Sequence, residues 1–202
     1  STWSALGTGI TTATVDAIAV SGNDVYVGGN FGSAGGVSAF RIAKWNGITS
    51  TWSALGTGLN HDVYALAVSG SDVYIAGEVD TNALTGAVNA RSTAPDAFVA
   101  RINDAGASAT LSWSRYVGGT GGGVAVEGAY GVTADASGVY IVGRTDSTGL
   151  GTAGAYQQKH SCEAPATCGN TSDGFIASIA VDGSALQWFS YYGGRMLEEI
   201  DD

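Results

Sequence analysis

The sequence predicts an all-β chain assembled from repeated four-stranded antiparallel units, and three observations predict it. The nonapeptide Ser-Thr-Trp-Ser-Ala-Leu-Gly-Thr-Gly at residues 1–9 returns letter for letter at residues 50–58, and looser copies at 111–119 and 186–194 carry Trp113 and Trp188. A fixed supersecondary unit therefore recurs about three times. Hydrophobic residues make up 45% of the chain and fall in short Val/Ile/Tyr/Ala runs that stop at Gly, Asp or Asn, which is the pattern of strands rather than helices. Glycine supplies 32 of the 202 residues against 2 prolines, so tight turns rather than disordered linkers separate the runs.

Each unit opens with two runs joined by a turn. The first pairs 15–20 with 24–28, the second 63–68 with 72–76, and the third 130–134 with 139–143. The joining turns hold Gly22, Gly70 and Gly138, and a glycine there accommodates a positive φ, so three hairpins are expected. A third strand follows at 40–45, 97–102 and 174–179, and a fourth carries the marker tryptophan. The loops at 30–39, 78–96 and 144–173 absorb nearly all the differences in unit length, which places the variable surface at one edge of the fold. The expected division is a strand of a preceding unit at 1–9, complete units at 10–58, 59–119 and 120–194, and the start of another at 195–202.

In the first strands large residues alternate with small apolar ones: Ile18 and Val20 with Ala17 and Ala19, then Leu66 and Val68 with Ala65 and Ala67. A sheet with one wet face would place polar residues in the second set. Small apolar residues there imply neighbours on both faces, the situation near the centre of a β-propeller made of four-stranded antiparallel blades, here three complete repeats with partial ends. The recurring tryptophans Trp3, Trp52, Trp113 and Trp188 are read as core or inter-blade residues. Since propellers close with about 4–8 blades, three would not make a self-sufficient ring. Either a longer chain or further copies would supply the rest, and a contact that fails to close would propagate into a filament.

Net charge is −10 with 8 scattered basic residues, so no positive groove is available to a phosphate backbone and nucleic acid is not an expected partner. No apolar run approaches the ~20 residues of a membrane-spanning helix. Cys162 and Cys168 lie close together in Cys-Glu-Ala-Pro-Ala-Thr-Cys. Their spacing favours a disulfide over a free thiol pair, and over a metal site for which only His160 is nearby. Asn170-Thr171-Ser172 fits the N-glycosylation pattern. Both features suit an oxidising, extracellular or cell-surface setting.

The third unit resembles the bacterial seven-bladed β-propeller (SBBP-type) repeat family. Carrying the resemblance are Tyr130-Gly131-Val132-Thr133-Ala134-Asp135, Gly138-Val139-Tyr140-Ile141-Val142-Gly143, Gly154-Ala155-Tyr156-Gln157, Asp173-Gly174-Phe175-Ile176-Ala177 and Tyr192-Gly193-Gly194. Unit two keeps Asp96-Ala97-Phe98-Val99-Ala100-Arg101-Ile102 and Tyr116-Val117-Gly118-Gly119, whereas unit one, with Arg41-Ile42-Ala43-Lys44-Trp45-Asn46-Gly47, diverges. The resemblance implies a propeller fold and a secreted or cell-envelope setting, and it brings no active site.

No residue pattern announces chemistry. Asp24 and Asp72 follow equivalent turns, but a calcium loop concentrates several oxygen ligands within about a dozen residues and each turn here has one carboxylate. The richest acidic cluster, Glu198, Glu199, Asp201 and Asp202, would suit calcium or simply solvent. The glycine run at 118–123 lacks the Lys-Ser/Thr and the helix of a phosphate cradle. His61 and His160 stand at no recognisable spacing from a nucleophile, and the Ser-x-Asp-x-Gly-x-x-Trp box of sialidase-type propellers is absent from the sequence. The expected function is therefore a non-catalytic extracellular scaffold, acting as a structural, adhesion or protein-binding module whose partners are further blades or other copies, with no cofactor. A glycan-binding or carbohydrate-active propeller is the alternative, its site expected in the long third loop at Tyr156, Gln157, Gln158, Lys159 and His160.

Overall fold

A computed structural model of the chain describes residues 4–11, 13–79, 83–90, 95–119, 127–161 and 172–194. The described residues form fourteen strands and no helix. β1 (Thr14–Ser21) and β2 (Asp24–Asn30) form the first hairpin, and a short ribbon of β3 (Ser33–Ala34) and β4 (Val37–Ser38) occupies the loop after it. β5 (Ile42–Asn46) and β6 (Thr51–Ala54) complete an antiparallel sheet in the order β1-β2-β5-β6. The second sheet runs in sequence order through β7 (Val63–Ser69), β8 (Asp72–Val79), β9 (Asp96–Asp104) and β10 (Ala109–Val117). The third does the same through β11 (Gly128–Ala134), β12 (Val139–Thr145), β13 (Asp173–Ile179) and β14 (Leu186–Tyr192). The fold is thus all-β, and the described residues form three four-stranded antiparallel sheets, one per sequence repeat.

The first strands hold the sheets together. β7 packs against β1 and β2 on one side and against β11 on the other, which puts the second sheet between the first and third. The strand period of two then decides what each side chain meets. Leu66 and Val68 reach the core shared with the first sheet, where Tyr26, Ile42, Leu55, Val63, Ile75 and Phe98 are buried. Ala65 and Ala67 turn to the core shared with the third, among Tyr74, Val99, Trp113, Phe175 and Phe189. Each large apolar side chain buried this way stabilises the stack by about 1.5–3 kcal/mol. A third cluster covers part of the other face of the first sheet: Phe31, Ala34 and Ala39 of the ribbon region lie over Val27 and Ala43, with Trp52 and Ile10 against them.

Two local expectations need correction. Gly22 and Gly70 do adopt positive φ, at 59° and 63°, but Gly138 does not. The third hairpin is closed instead by Asp135, whose Oδ1 accepts from the Ser137 amide at 2.7 Å and the Gly138 amide at 3.2 Å. Gly138 is needed for space, since a Cβ there would press on Ser178 and Gln187. The tryptophans also do not share one orientation. Bulges at Ser112 in β10 and Gln187 in β14 set Trp113 opposite Arg101 and Trp188 opposite Ser178. β6 has no bulge, so Trp52 falls opposite Trp45, on the other face of its sheet, with the two rings edge-on at 5.5 Å. One inserted residue flips every side chain beyond it.

Candidate functional site

The same kind of bulge recurs in the three first strands, after Val15, Val63 and Ala129, and makes Asp16, Tyr64 and Tyr130 the extra residues. A bulge re-aims its side chain. Here it brings Tyr64 and Tyr130 from adjacent sheets into contact, with ring centroids 5.5 Å apart. Next to Tyr64 a polar pocket of ≈ 300 Å³ opens between the first and second sheets, lined by Asn30, Arg41, Asn60, His61, Asp62, Tyr64 and Glu78. Arg41 is held at φ 64°, a conformation that costs a non-glycine residue about 1–3 kcal/mol. Its amide donates to the Phe31 carbonyl at 2.8 Å and its carbonyl accepts from the Gly29 amide at 3.1 Å.

From that position Arg41 reaches Asp62, Nε to Oδ1 at 3.1 Å, and donates to Asn30 Oδ1 at 2.5 Å. Asn30 in turn donates to Asp62 Oδ2 at 3.0 Å. The Tyr64 hydroxyl lies 3.4 Å from Glu78 Oε2, and burial, Glu78 and Asp62 together push its ionisation well above the ordinary tyrosine value. Tyr64 is therefore a neutral hydrogen-bond donor rather than a phenolate. Such a pocket can hold a small polar molecule by hydrogen bonds and a ring face. None of Arg41, Asp62, Tyr64 and Glu78 carried a motif in the sequence; a bulge and a left-handed arginine bring them together.

A second concavity, apolar and ≈ 860 Å³, runs over the outer face of the third sheet and is lined by Val142, Ile176, Trp188 and Tyr192 with Ala153 to Tyr156 of the long loop. Tyr156 is 89% exposed and, with Trp188 and Tyr192, gives this groove an aromatic surface. The other residues of the loop face inward or brace it. Gln157 accepts from the Tyr191 amide at 3.0 Å through its carbonyl and from the Gly193 amide at 3.2 Å through Oε1, and its Nε2 donates to Asp173 at 3.2 Å. His160 is buried edge-on against Tyr191 at 5.5 Å, with Nε2 3.2 Å from the Thr145 carbonyl. Gln158 and Lys159 are exposed. Of the predicted ligand loop, Gln157 and His160 pin the segment to β13 and β14, and Tyr156 is the residue that joins the groove.

Asp24 and Asp72 are each engaged within their own sheet. Asn46 donates to Asp24 at 2.7 Å, and Arg101 and Asn103 donate to Asp72 at 2.6 Å and 3.0 Å. No group of three or more His, Cys, Asp or Glu positioned for a metal occurs among the described residues. Gly118 and Gly119 begin the predicted glycine run, and Gly118 sits against the buried side chains of Asp96 and Glu127. Cys162, Cys168, Asn170, Trp3, Gly121, Gly122, Gly123, Glu198, Glu199, Asp201 and Asp202 lie outside the described residues. No family model matches this chain, and no curated protein matches it.

Proposed function

We propose that the chain is a segment of a β-propeller of the SBBP-type repeat family, acting as a non-catalytic scaffold or binding module on the cell surface or in a secreted assembly. The observation that supports it is the reuse of one packing scheme. The face of the first sheet that meets the second, and the face of the second that meets the third, present the same rows of residues: Ala19, Tyr26 and Lys44 in one, Ala67, Tyr74 and Arg101 in the other. A chain that repeats one stacking surface from sheet to sheet is organised for assembly. Its partners on this reading are further sheets of the same kind, and no cofactor takes part.

The aromatic groove of Tyr156, Trp188 and Tyr192 favours the second reading, a glycan-binding propeller, because sugars stack on such surfaces. A glycan array run with parallel hydrolysis assays tests both. The scaffold reading expects neither specific binding nor turnover. Specific binding lost in Tyr156→Ala, or turnover of any glycan, would replace it with the second.

A further inference from the structure

Lys44 and Asp104 meet across the junction of the first and second sheets, and we propose that they condense into an amide, a covalent cross-link from Nζ of one to Cγ of the other formed with loss of one water. The inference goes beyond the scaffold reading and needs no residue outside the chain. Lys44 lies in the middle of β5 and Asp104 ends β9, and both are buried, at 5% and 7% exposure. Nζ stands 2.6 Å from Asp104 Oδ2, 60 residues away in sequence. A buried ion pair of this kind returns little stability, because taking two charges out of water costs about as much as their attraction restores. What it does provide is an amine held against a carboxyl group, away from solvent.

The repeat shows that the stacking of sheets does not require this pairing. Lys44 is opposite Tyr26 in the first sheet as Arg101 is opposite Tyr74 in the second, and Asp24 and Asp72 open the strands β2 and β8 beside them. Arg101 turns to the aspartate of its own sheet, with Nη2 2.6 Å from Asp72 Oδ2. Lys44 does not: Asp24 Oδ2 is 3.7 Å from Nζ, and the short contact goes to the neighbouring sheet. The junction of the second and third sheets is bonded through main-chain carbonyls instead, Trp113 Nε1 donating to Val181 at 3.1 Å and Arg115 to Gly183 and Ser184 at 3.2 Å. In the third sheet the residue opposite Tyr140 is Ser178. A guanidinium stays protonated and is no nucleophile, whereas a lysine amine becomes one on losing its proton.

The surroundings of Asp104 supply the rest. Its Oδ1 accepts from the Gly106 amide at 2.9 Å, and Gly106 holds φ 84°, so the turn after β9 fixes the carboxyl group. Its Oδ2 accepts from the Tyr26 hydroxyl at 2.8 Å, and burial, with Asp104 beside it, keeps that phenol protonated. The steps balance without a co-reactant. Nζ passes one proton to Oδ2, which turns ammonium and carboxylate into amine and acid and removes two buried charges. The amine lone pair then attacks Cγ, and the carbonyl electron pair moves onto Oδ1, where the Gly106 amide already donates in the manner of an oxyanion hole. Asp24 takes the surplus proton from Nζ and returns it to the Oδ2 hydroxyl; the Cγ–Oδ2 bond breaks, water leaves and the carbonyl re-forms. Groups held in contact react as if at a concentration on the order of 10⁵ M, which offsets the preference of bulk water for the separated ions.

The test is the mass of the 202-residue chain, freshly folded and after prolonged incubation at neutral pH, read under denaturing conditions. The incubated chain is expected to be lighter by one water, and its tryptic digest to contain a branched peptide in which Lys44 is uncleaved and joined to the segment carrying Asp104. Lys44→Arg, which keeps the charge of the pair, is expected to hold its full mass, as is the parent chain incubated in urea. Asp24→Asn, which keeps an acceptor for Asn46, is expected to form the same branched peptide about 100-fold more slowly, and an unslowed reaction overturns the role given to Asp24. A parent chain that retains its water overturns the cross-link itself. So does a missing water that maps to a linear peptide, the mark of a succinimide, or one that persists in Lys44→Arg.

Discussion

Replacing Glu127 with glutamine is expected to change how stability depends on pH more than stability itself. Glu127 precedes β11 and is 1% exposed. Its Oε1 accepts from the Thr145 hydroxyl and from the Ser147 amide at 2.9 Å, while Oε2 has no hydrogen-bond partner among the described residues. Burial pushes the carboxyl up to about 8, with Asp96 and Asp146 adding to the rise and the donors on Ser147 and Thr145 opposing it. In the unfolded chain the same group titrates near its ordinary value of 4.5. Between these two values the folded protein keeps a proton that the unfolded chain releases, so stability falls as pH rises, by about 1.4 kcal/mol per unit. The contribution is fully present below the lower value and lost as pH passes through the upper one, a total on the order of 5 kcal/mol. Glutamine keeps the shape and the acceptor oxygen but does not titrate. Urea unfolding at both ends of the window should therefore show Glu127→Gln overtaking the parent chain at the alkaline end. Parallel stability curves for the two proteins would refute the assignment of a protonated, buried Glu127.

Three further outcomes follow from the packing. Lys44→Met strands Asp104, which Lys44 Nζ approaches at 2.6 Å and the Tyr26 hydroxyl at 2.8 Å in a buried setting, and should cost about 3–5 kcal/mol, most of it recovered in Lys44→Met/Asp104→Leu; a urea double-mutant cycle without coupling would contradict this. Leu55→Ala should lower stability by about 2–4 kcal/mol, whereas Leu6→Ala, the same change in the same turn, should cost the isolated chain under about 0.5 kcal/mol. Tyr156→Ala should leave the melting temperature unchanged, while Gln157→Ala, which removes a side chain bonded to Gly193 and Asp173, should cost about 1–3 kcal/mol; equal melting temperatures would show that the loop is not braced as described.

The strands and hairpins were legible because their causes are local. Runs such as Val63 to Val68 alternate at the strand period, and Gly22 and Gly70 sit where a turn needs a left-handed residue. What the sequence hid depends on single insertions and on residues far apart in the chain. A bulge leaves no mark in composition, yet it decides that Trp113 faces the third sheet while Trp52 faces away from the second, and that Tyr64 meets Tyr130 across two sheets. His160 looked like a loop histidine open to ligand, but its neighbours Thr145, Asp173 and Tyr191 come from three strands. The polar pocket was equally silent, because Arg41 and Asp62 immediately precede strands of different sheets, β5 and β7, and meet only through the stack.

Burial of a repeat residue is set by the sheet beside it and not by its own sequence. Leu6 and Leu55 have identical neighbours from three residues before to three after, so helix or strand propensity, turn chemistry and local hydropathy are equal for both. Only the second sheet, lying over Leu55 and absent over Leu6, distinguishes them. The same holds for Trp113 and Trp188. A reading that works unit by unit therefore assigns both members of each pair to a core, and it is correct for a unit with neighbours on each side. At the two ends of the described stack the local sequence stays the same and the burial does not: Leu6 is 39% exposed where Leu55 is 1%, and Trp188 37% where Trp113 is 4%.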